Sequence, residues 1–188
     1  MPGVPEVPGA PSVPEAPGAA LGVPDPVTVS TPAIEAVRAL GVPHRIVTNP
    51  RPQTAEESAE LQGIALDQLF RTIVVRRGAD DYVFVLVPGG RRFDWPKLRA
   101  HLGVSRLSLP DKDEARAVTG YERGTITPFG ASRAWPVIVD ASAAALDSMS
   151  IGGGAFGVNL HVAPDDLIHA LDATVVDVTV PEDAQPSE

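Results

Sequence analysis

Thr119-Gly120-Tyr121-Glu122-Arg123-Gly124-Thr125-Ile126-Thr127-Pro128-Phe129-Gly130 holds too much glycine and proline for a helix or a paired strand. Gly120, Gly124 and Gly130 permit positive φ or close backbone approach, and Pro128 fixes φ while removing a donor. What remains is a shaped loop whose peptide N–H groups can be presented to a ligand instead of to a neighbouring strand. Such an array suits a carboxylate, a phosphate or a developing oxyanion. Tyr121 and Phe129 are expected to be exposable on this loop. The plainer alternative is a tight structural turn. A second glycine run, Gly152-Gly153-Gly154, lies downstream and gives the chain two such loops.

Around these loops, helix and strand signals alternate. Thr31 caps a helix with Pro32 in its first turn, Ile34, Val37 and Leu40 follow helical spacing, and Gly41 stops it. His44 to Thr48 reads as a short strand, with His44 either a site histidine or a surface one. Thr54-Ala55-Glu56-Glu57 opens a second helix that ends near Gly63. Arg71 to Arg77 and Tyr82 to Val87 are β-branched-rich strands joined as a hairpin through Gly78-Ala79-Asp80-Asp81, and their nearly continuous apolar character implies that both faces are covered. Asp94 caps a helix closed by Gly103, Arg106 to Leu109 is expected to be a short strand, and Asp111 opens the helix that delivers the chain to the Gly120 loop. Pro136 to Asp140 is an apolar strand ending in a carboxylate, and the Ala-rich residues 141–148 suggest a short helix. Strands at 149–151 and 158–162 flank the glycine run, Pro164 starts a last helix, and Thr174 to Val180 reads as one final strand. The class is mixed α/β.

Length and charge bound the rest. The 188 residues allow one domain with a sizeable core, assigned to 31–180, between a Pro-rich tail at 1–30 and an acidic tail at 181–188 that is expected to fray. Pro2, Pro5, Pro8, Pro11, Pro14 and Pro17 repeat every third residue, which suits an extended polyproline II segment. With no cysteine there is no disulfide framework and no thiolate chemistry. No apolar run approaches the roughly 18 residues of a membrane span, and no secretory signal pattern opens the chain, so a cytoplasmic protein without membrane partners is expected. The net charge is −9, but the tails hold six acidic residues and no basic ones. The fifteen Lys and Arg therefore face eighteen acidic residues in 31–180, a net −3. Arg71, Arg76, Arg77, Arg91 and Arg92 against Asp80 and Asp81 make a local basic patch, able to meet phosphates but too weak for tight non-specific binding of nucleic acid, DNA included.

Four segments in order resemble the YbaK/prolyl-tRNA-synthetase-associated family of aminoacyl-tRNA editing domains. Gly120-Tyr121 followed by Gly124-x-x-x-Pro128-Phe129-Gly130 is similar to its signature loop. Phe70-Arg71-Thr72-Ile73-Val74-Val75 is similar to its Lys-Thr-Leu-Val-Val strand, Pro136 to Asp140 to its strand ending in Asp, and Ile151-Gly152-Gly153-Gly154 to its Gly-Ala-Gly turn. The match spans about residues 32–180. Arg71 stands where the family usually has lysine. The resemblance implies a curved, barrel-like mixed sheet flanked by helices and a trans-acting deacylase that hydrolyses the ester of a mischarged tRNA, with an aminoacyl-tRNA synthetase as a further partner.

No nucleophile elbow, metal-ligand spacing or phosphate loop occurs, and His44, His101, His161 and His169 are scattered, so neither a Ser-His-Asp hydrolase nor a bound metal or cofactor is expected. An aminoacyl ester is already activated, and a pocket of backbone donors with one cation suffices to orient it, admit water and hold the oxyanion. The resemblance places the catalytic positions at Arg71, Gly124 and Asp140. It puts substrate contacts at Thr72, Gly120, Tyr121, Pro128, Phe129, Gly130, Gly152, Gly153 and Gly154. Asp140 is open to two readings, a general base or a cap for the following turn. Arg71 offers a planar fork for a phosphate and no neutral base. The alternative function is an editing-like binding module without turnover, holding tRNA, a nucleotide, a peptide or a protein. A subunit-contact domain is a third.

Overall fold

The computed structural model describes residues 29–184. The Pro-rich segment falls almost wholly outside them. Among the described residues, five α-helices and nine strands form a mixed α/β fold: α1 (Pro32–Ala39), β1 (His44–Thr48), α2 (Ala55–Gln62), β2 (Phe70–Gly78), β3 (Asp81–Pro88), β4 (Arg91–Phe93), α3 (Trp95–Leu102), α4 (Lys112–Thr119), β5 (Val137–Asp140), β6 (Met149–Gly152), β7 (Val158–Val162), α5 (Pro164–Leu171), β8 (Thr174–Val176) and β9 (Thr179–Pro181). The first four helices start where short polar side chains can take an orphan N–H. Thr31 accepts from Ile34, Thr54 from Glu57, Asp94 from Lys97, and Asp111 from Asp113 and Glu114.

Three sheets carry the fold, in orders β1-β7-β6, β2-β3-β5-β8 and β4-β9. β2 and β3 form the expected hairpin, antiparallel from Phe70 opposite Pro88 to Gly78 opposite Asp81. β5 enters beside β3 in parallel, as does β8 beside β5. Both faces of the hairpin are covered. Phe70, Val74, Phe84 and Leu86 join a core with Ile34, Phe129, Ile151 and Leu160, whereas Val75, Val83, Val85 and Val87 pack with Phe93, Leu98 and Val178 on the other side. Period-2 alternation therefore sends Thr72 toward the first core and Arg71 toward the second face.

Three local expectations need correction. Residues 106–109 make only an isolated bridge, Ser108 to Arg76, because Ser108 alone reaches the strand. The stretch 174–180 is two strands, since Val178 turns inward to complete the second core between β8 and β9. The acidic end does not fray at 181: Glu182 N–H donates to the Gly90 carbonyl and Arg92 donates to that of Ala184, so residues 181–184 stay on the β4-β9 ribbon.

Candidate functional site

The signature loop leaves α4 at Gly120 and closes against α1 at Gly130. Its aromatics are not exposed. Tyr121 and Phe129 are 4% and 1% accessible and belong to the core, and the Tyr121 hydroxyl donates to the Phe129 carbonyl at 2.7 Å. Burial pushes the Tyr121 phenol up to about 12, so it stays a donor at any working pH. The two side chains pin the loop from inside, which corrects the expectation of exposed aromatics. Pro128 is buried beside them. Gly130 is structural, because a side-chain carbon there would run into the Pro32 carbonyl and lie 2.9 Å from Ala33 N. Gly120 caps α4, its N–H bound to Arg116 O.

Gly124 differs. It is exposed, has φ +96°, and would meet only the edge of Phe156 (3.3 Å) if given a Cβ. It lines a cleft of about 230 Å³ with Gly152, Ser58, Arg51, Arg123 and Phe156 among the walls. The two predicted loops thus meet here through one glycine each. Gly153 and Gly154 stand behind the wall: Gly153 pairs with Val158 O and receives the Thr31 hydroxyl, while Gly154 lies against Tyr121. Arg51 sits 3.7 Å over the centre of the Phe156 ring, a cation–π pair that holds the guanidinium at the cleft. Neither Arg51 nor Arg123 has a carboxylate partner among the described residues. The cleft offers uncommitted positive charge beside glycine backbone.

The other predicted residues do not line it. Arg71, on β2, donates to the Arg91 carbonyl at 2.6 Å and pairs with Glu182 at 3.2 Å. The carboxyl of Glu56, at the start of α2, is held below the usual range by hydrogen bonds to its own backbone N–H and to Thr54, with the charge of Arg71 adding to them. Thr72 faces the first core, where its hydroxyl has no partner among the described residues. Asp140 is 2% accessible. It accepts from Ser142 N and Oγ, and from Val178 N and Thr179 Oγ1. Burial alone would raise its pKa, but these four bonds outweigh it and leave the carboxyl below the ordinary value. Both oxygens of Asp140 are thereby committed to capping the Ala141–Ala145 turn and tying down β9, the second of the two roles the sequence left open.

The basic patch is likewise mostly consumed within the fold. Arg76 pairs with Glu114 at 3.0 Å, Arg77 with Asp81 at 2.7 Å, and Arg91 donates to Thr179. Free charge lies instead on Arg51, Arg123 and their cleft. Sequence reasoning passed over Arg51, Ser58 and Phe156. The available signals were Phe156, two residues past the glycine run, and Arg123 inside the signature loop. Among the described residues no group of three His, Asp or Glu side chains is placed to hold a metal, and no helix is long and apolar enough to cross a membrane.

Residues 49–170 match the family model described as the aminoacyl-tRNA editing domain. Among curated proteins, EbsC of Enterococcus faecalis, described as a candidate Cys-tRNA(Pro)/Cys-tRNA(Cys) deacylase, is 25% identical over 129 residues, covering 69% of this chain and 79% of EbsC. The proline–tRNA ligase of Xanthomonas campestris is 30% identical over 135 residues, which is 71% of this chain but only 24% of the ligase. That of Thermosipho melanesiensis is 29% identical over 57% of this chain and 19% of the ligase, so the chain spans about a fifth to a quarter of the ligases it matches. Of solved structures, one described as a candidate trans-editing enzyme for prolyl-tRNA synthetase superposes with a TM-score of 0.75 at 24% identity, covering 81% of this chain and 99% of that one. A hypothetical protein of known structure gives 0.74 at 24% identity, covering 80% and 100%. At that identity the likeness speaks for the fold.

Proposed function

The chain belongs to the aminoacyl-tRNA editing domain family, and on that premise we propose that it acts in trans as a deacylase, hydrolysing the ester between a wrongly chosen amino acid and its tRNA. The observation that carries the reading is the Gly124–Gly152 cleft with Arg51 and Arg123 uncommitted at its walls. An acceptor end brings an activated ester and adjacent phosphates. Glycine backbone lets the ester approach closely, and two guanidinium groups suit the phosphates. Water, in place of a side-chain nucleophile, attacks the ester carbonyl; backbone N–H groups meet the developing oxyanion, and its collapse breaks the bond to the ribose oxygen, which leaves with a proton as the free hydroxyl. The ribose hydroxyl next to the ester assists, as the family resemblance implies.

Arg71 serves this reading as an electrostatic contact to the tRNA backbone and moves no proton, since guanidinium stays protonated. Arg71 is tied to Glu182, so a phosphate has to displace that carboxylate before Arg71 can engage it; the second reading is a domain that retains tRNA without turnover. A cytoplasmic site of action and association with a synthetase belong to the deacylase proposal. A deacylation screen with tRNAs carrying alanine, cysteine, serine and proline esters tests it. Ester loss well above the spontaneous rate for at least one mischarged tRNA is expected; retention of tRNA with every ester intact establishes the binding module instead.

A further inference from the structure

Behind the cleft, buried polar side chains link β7 to α2, and one residue fixes the direction of the whole chain of hydrogen bonds. A guanidinium has donors only. Arg45 Nη2, 2.9 Å from His161 Nδ1, therefore requires that nitrogen to accept. His161 then carries its proton on Nε2 and donates to Gln62 Oε1 at 2.8 Å, an oxygen that also accepts from Ser150 Oγ at 2.6 Å. This settles the amide of Gln62: its Nε2 faces Ser58 and donates to Oγ at 3.0 Å. The Ser58 oxygen is thus an acceptor toward the interior, and its own proton has to point elsewhere. No acceptor for it is found among the described residues, and Ser58 is a wall residue of the cleft. An imidazolium at 161 would set Nδ1–H against Arg45. Consistently, burial first and the Arg45 charge second hold the His161 pKa below its ordinary value.

Resting on the editing reading of this cleft, we infer that Ser58 is a fixed hydrogen-bond donor to an acceptor oxygen of the bound aminoacyl ester, oriented by Gln62, His161 and Arg45 as positioning residues. The preset direction matters because a free hydroxyl rotor would lose orientation on binding, whereas this one is already held. The relay also joins α2 to the sheet of β1, β7 and β6, so the element that carries Ser58 is anchored to the strand that carries Gly152.

The test uses the full chain and adenosine bearing an alanyl group through a 3′-amide, which keeps the carbonyl and resists hydrolysis. By calorimetric titration, Ser58→Ala is expected to bind this probe about three- to tenfold more weakly, the loss of one neutral hydrogen bond, while Ser58→Thr retains most of the affinity. Gln62→Glu gives a second route should Ser58→Ala fail to fold. A carboxylate at 62 draws the Ser58 proton inward, so affinity falls although the Ser58 hydroxyl is still present, an effect that a merely structural Ser58 would not produce. Equal affinity of wild type and Ser58→Ala, or no binding of the probe by wild type, overturns the inference and leaves the deacylase reading to its own screen. Ser58-dependent binding in a protein that hydrolyses no mischarged tRNA overturns the deacylase reading and leaves the Ser58 donor standing.

Discussion

Gly124 and Gly130 both have positive φ within one loop, yet substitution by alanine is expected to separate them cleanly. At Gly124 the new Cβ meets only Phe156 Cε1 at 3.3 Å, the far end of a side chain that is 38% accessible. The stability cost is then essentially backbone strain, about 1–2 kcal/mol for a residue with a Cβ in this region. For a domain of this size that lowers Tm by about 2–8 °C. The functional cost is larger. Phe156 must shift by a few tenths of an ångström, and Arg51 rides on its ring at 3.7 Å, so the cation and the wall of the cleft move together. Displacements approaching an ångström cost about a hundredfold in rate, and we expect a ten- to hundredfold loss of kcat/KM for Gly124→Ala. At Gly130 the Cβ runs into the Pro32 carbonyl at the start of α1. Two backbone segments must part, adding about 1–3 kcal/mol of overpacking to the same strain. Melting followed by circular dichroism, with deacylation measured below both transitions, checks the pair. A Gly124→Ala variant that melts as low as Gly130→Ala, or that keeps wild-type activity, would refute this separation.

Arg71→Lys is expected to retain most activity, whereas Arg71→Ala loses about ten- to hundredfold in kcat/KM, the 1.5–3 kcal/mol of a hydrogen bond to a charged group; a lysine variant much faster than wild type with a new pH dependence would show that a neutral amine is the competent group. Stability of Arg71→Ala stays within about 0.5 kcal/mol of wild type, because the Arg71–Glu182 pair is roughly half exposed. Arg51→Ala and Arg123→Ala each weaken tRNA binding and reduce the slope of log affinity against log salt by about 0.7, the value for one phosphate contact on a single strand; unchanged slopes would remove these arginines from the tRNA contact. His161 is depressed in the fold, so its contribution to stability is fully present above the unfolded imidazole value of 6.5 and is lost as pH falls through the lower folded value. Urea midpoints are expected to drop between about pH 7 and pH 5 and to drop less in His161→Gln, equal pH dependence in the two being the contrary result.

Local chemistry made much of the fold legible. Thr31, Thr54, Asp94 and Asp111 announce helix starts because a cap acts within three residues of itself, and the β2–β3 pattern announced two covered faces because both alternating sets are apolar. What stayed hidden depends on distant partners. Tyr121 and Phe129 sit among glycines, where no periodicity says which way a ring points. Arg71 looked free because Glu182 is 111 residues away, and His161 looked solitary because Gln62 and Arg45 are 99 and 116 residues away. The cleft was half legible: Gly124 and Gly152 carry loop signatures, while Arg51 and Ser58 follow no motif and are brought in by α2 and the segment before it.

The measurement that bears most directly on the account is single-turnover decay of one mischarged aminoacyl-tRNA under excess protein, with bound tRNA followed in the same samples. The account predicts that the ester decays with a rate that rises and saturates with protein concentration, far above spontaneous hydrolysis, and that Gly124→Ala lowers this rate while tRNA remains bound. Saturable tRNA binding with an ester lifetime equal to that in buffer would contradict it.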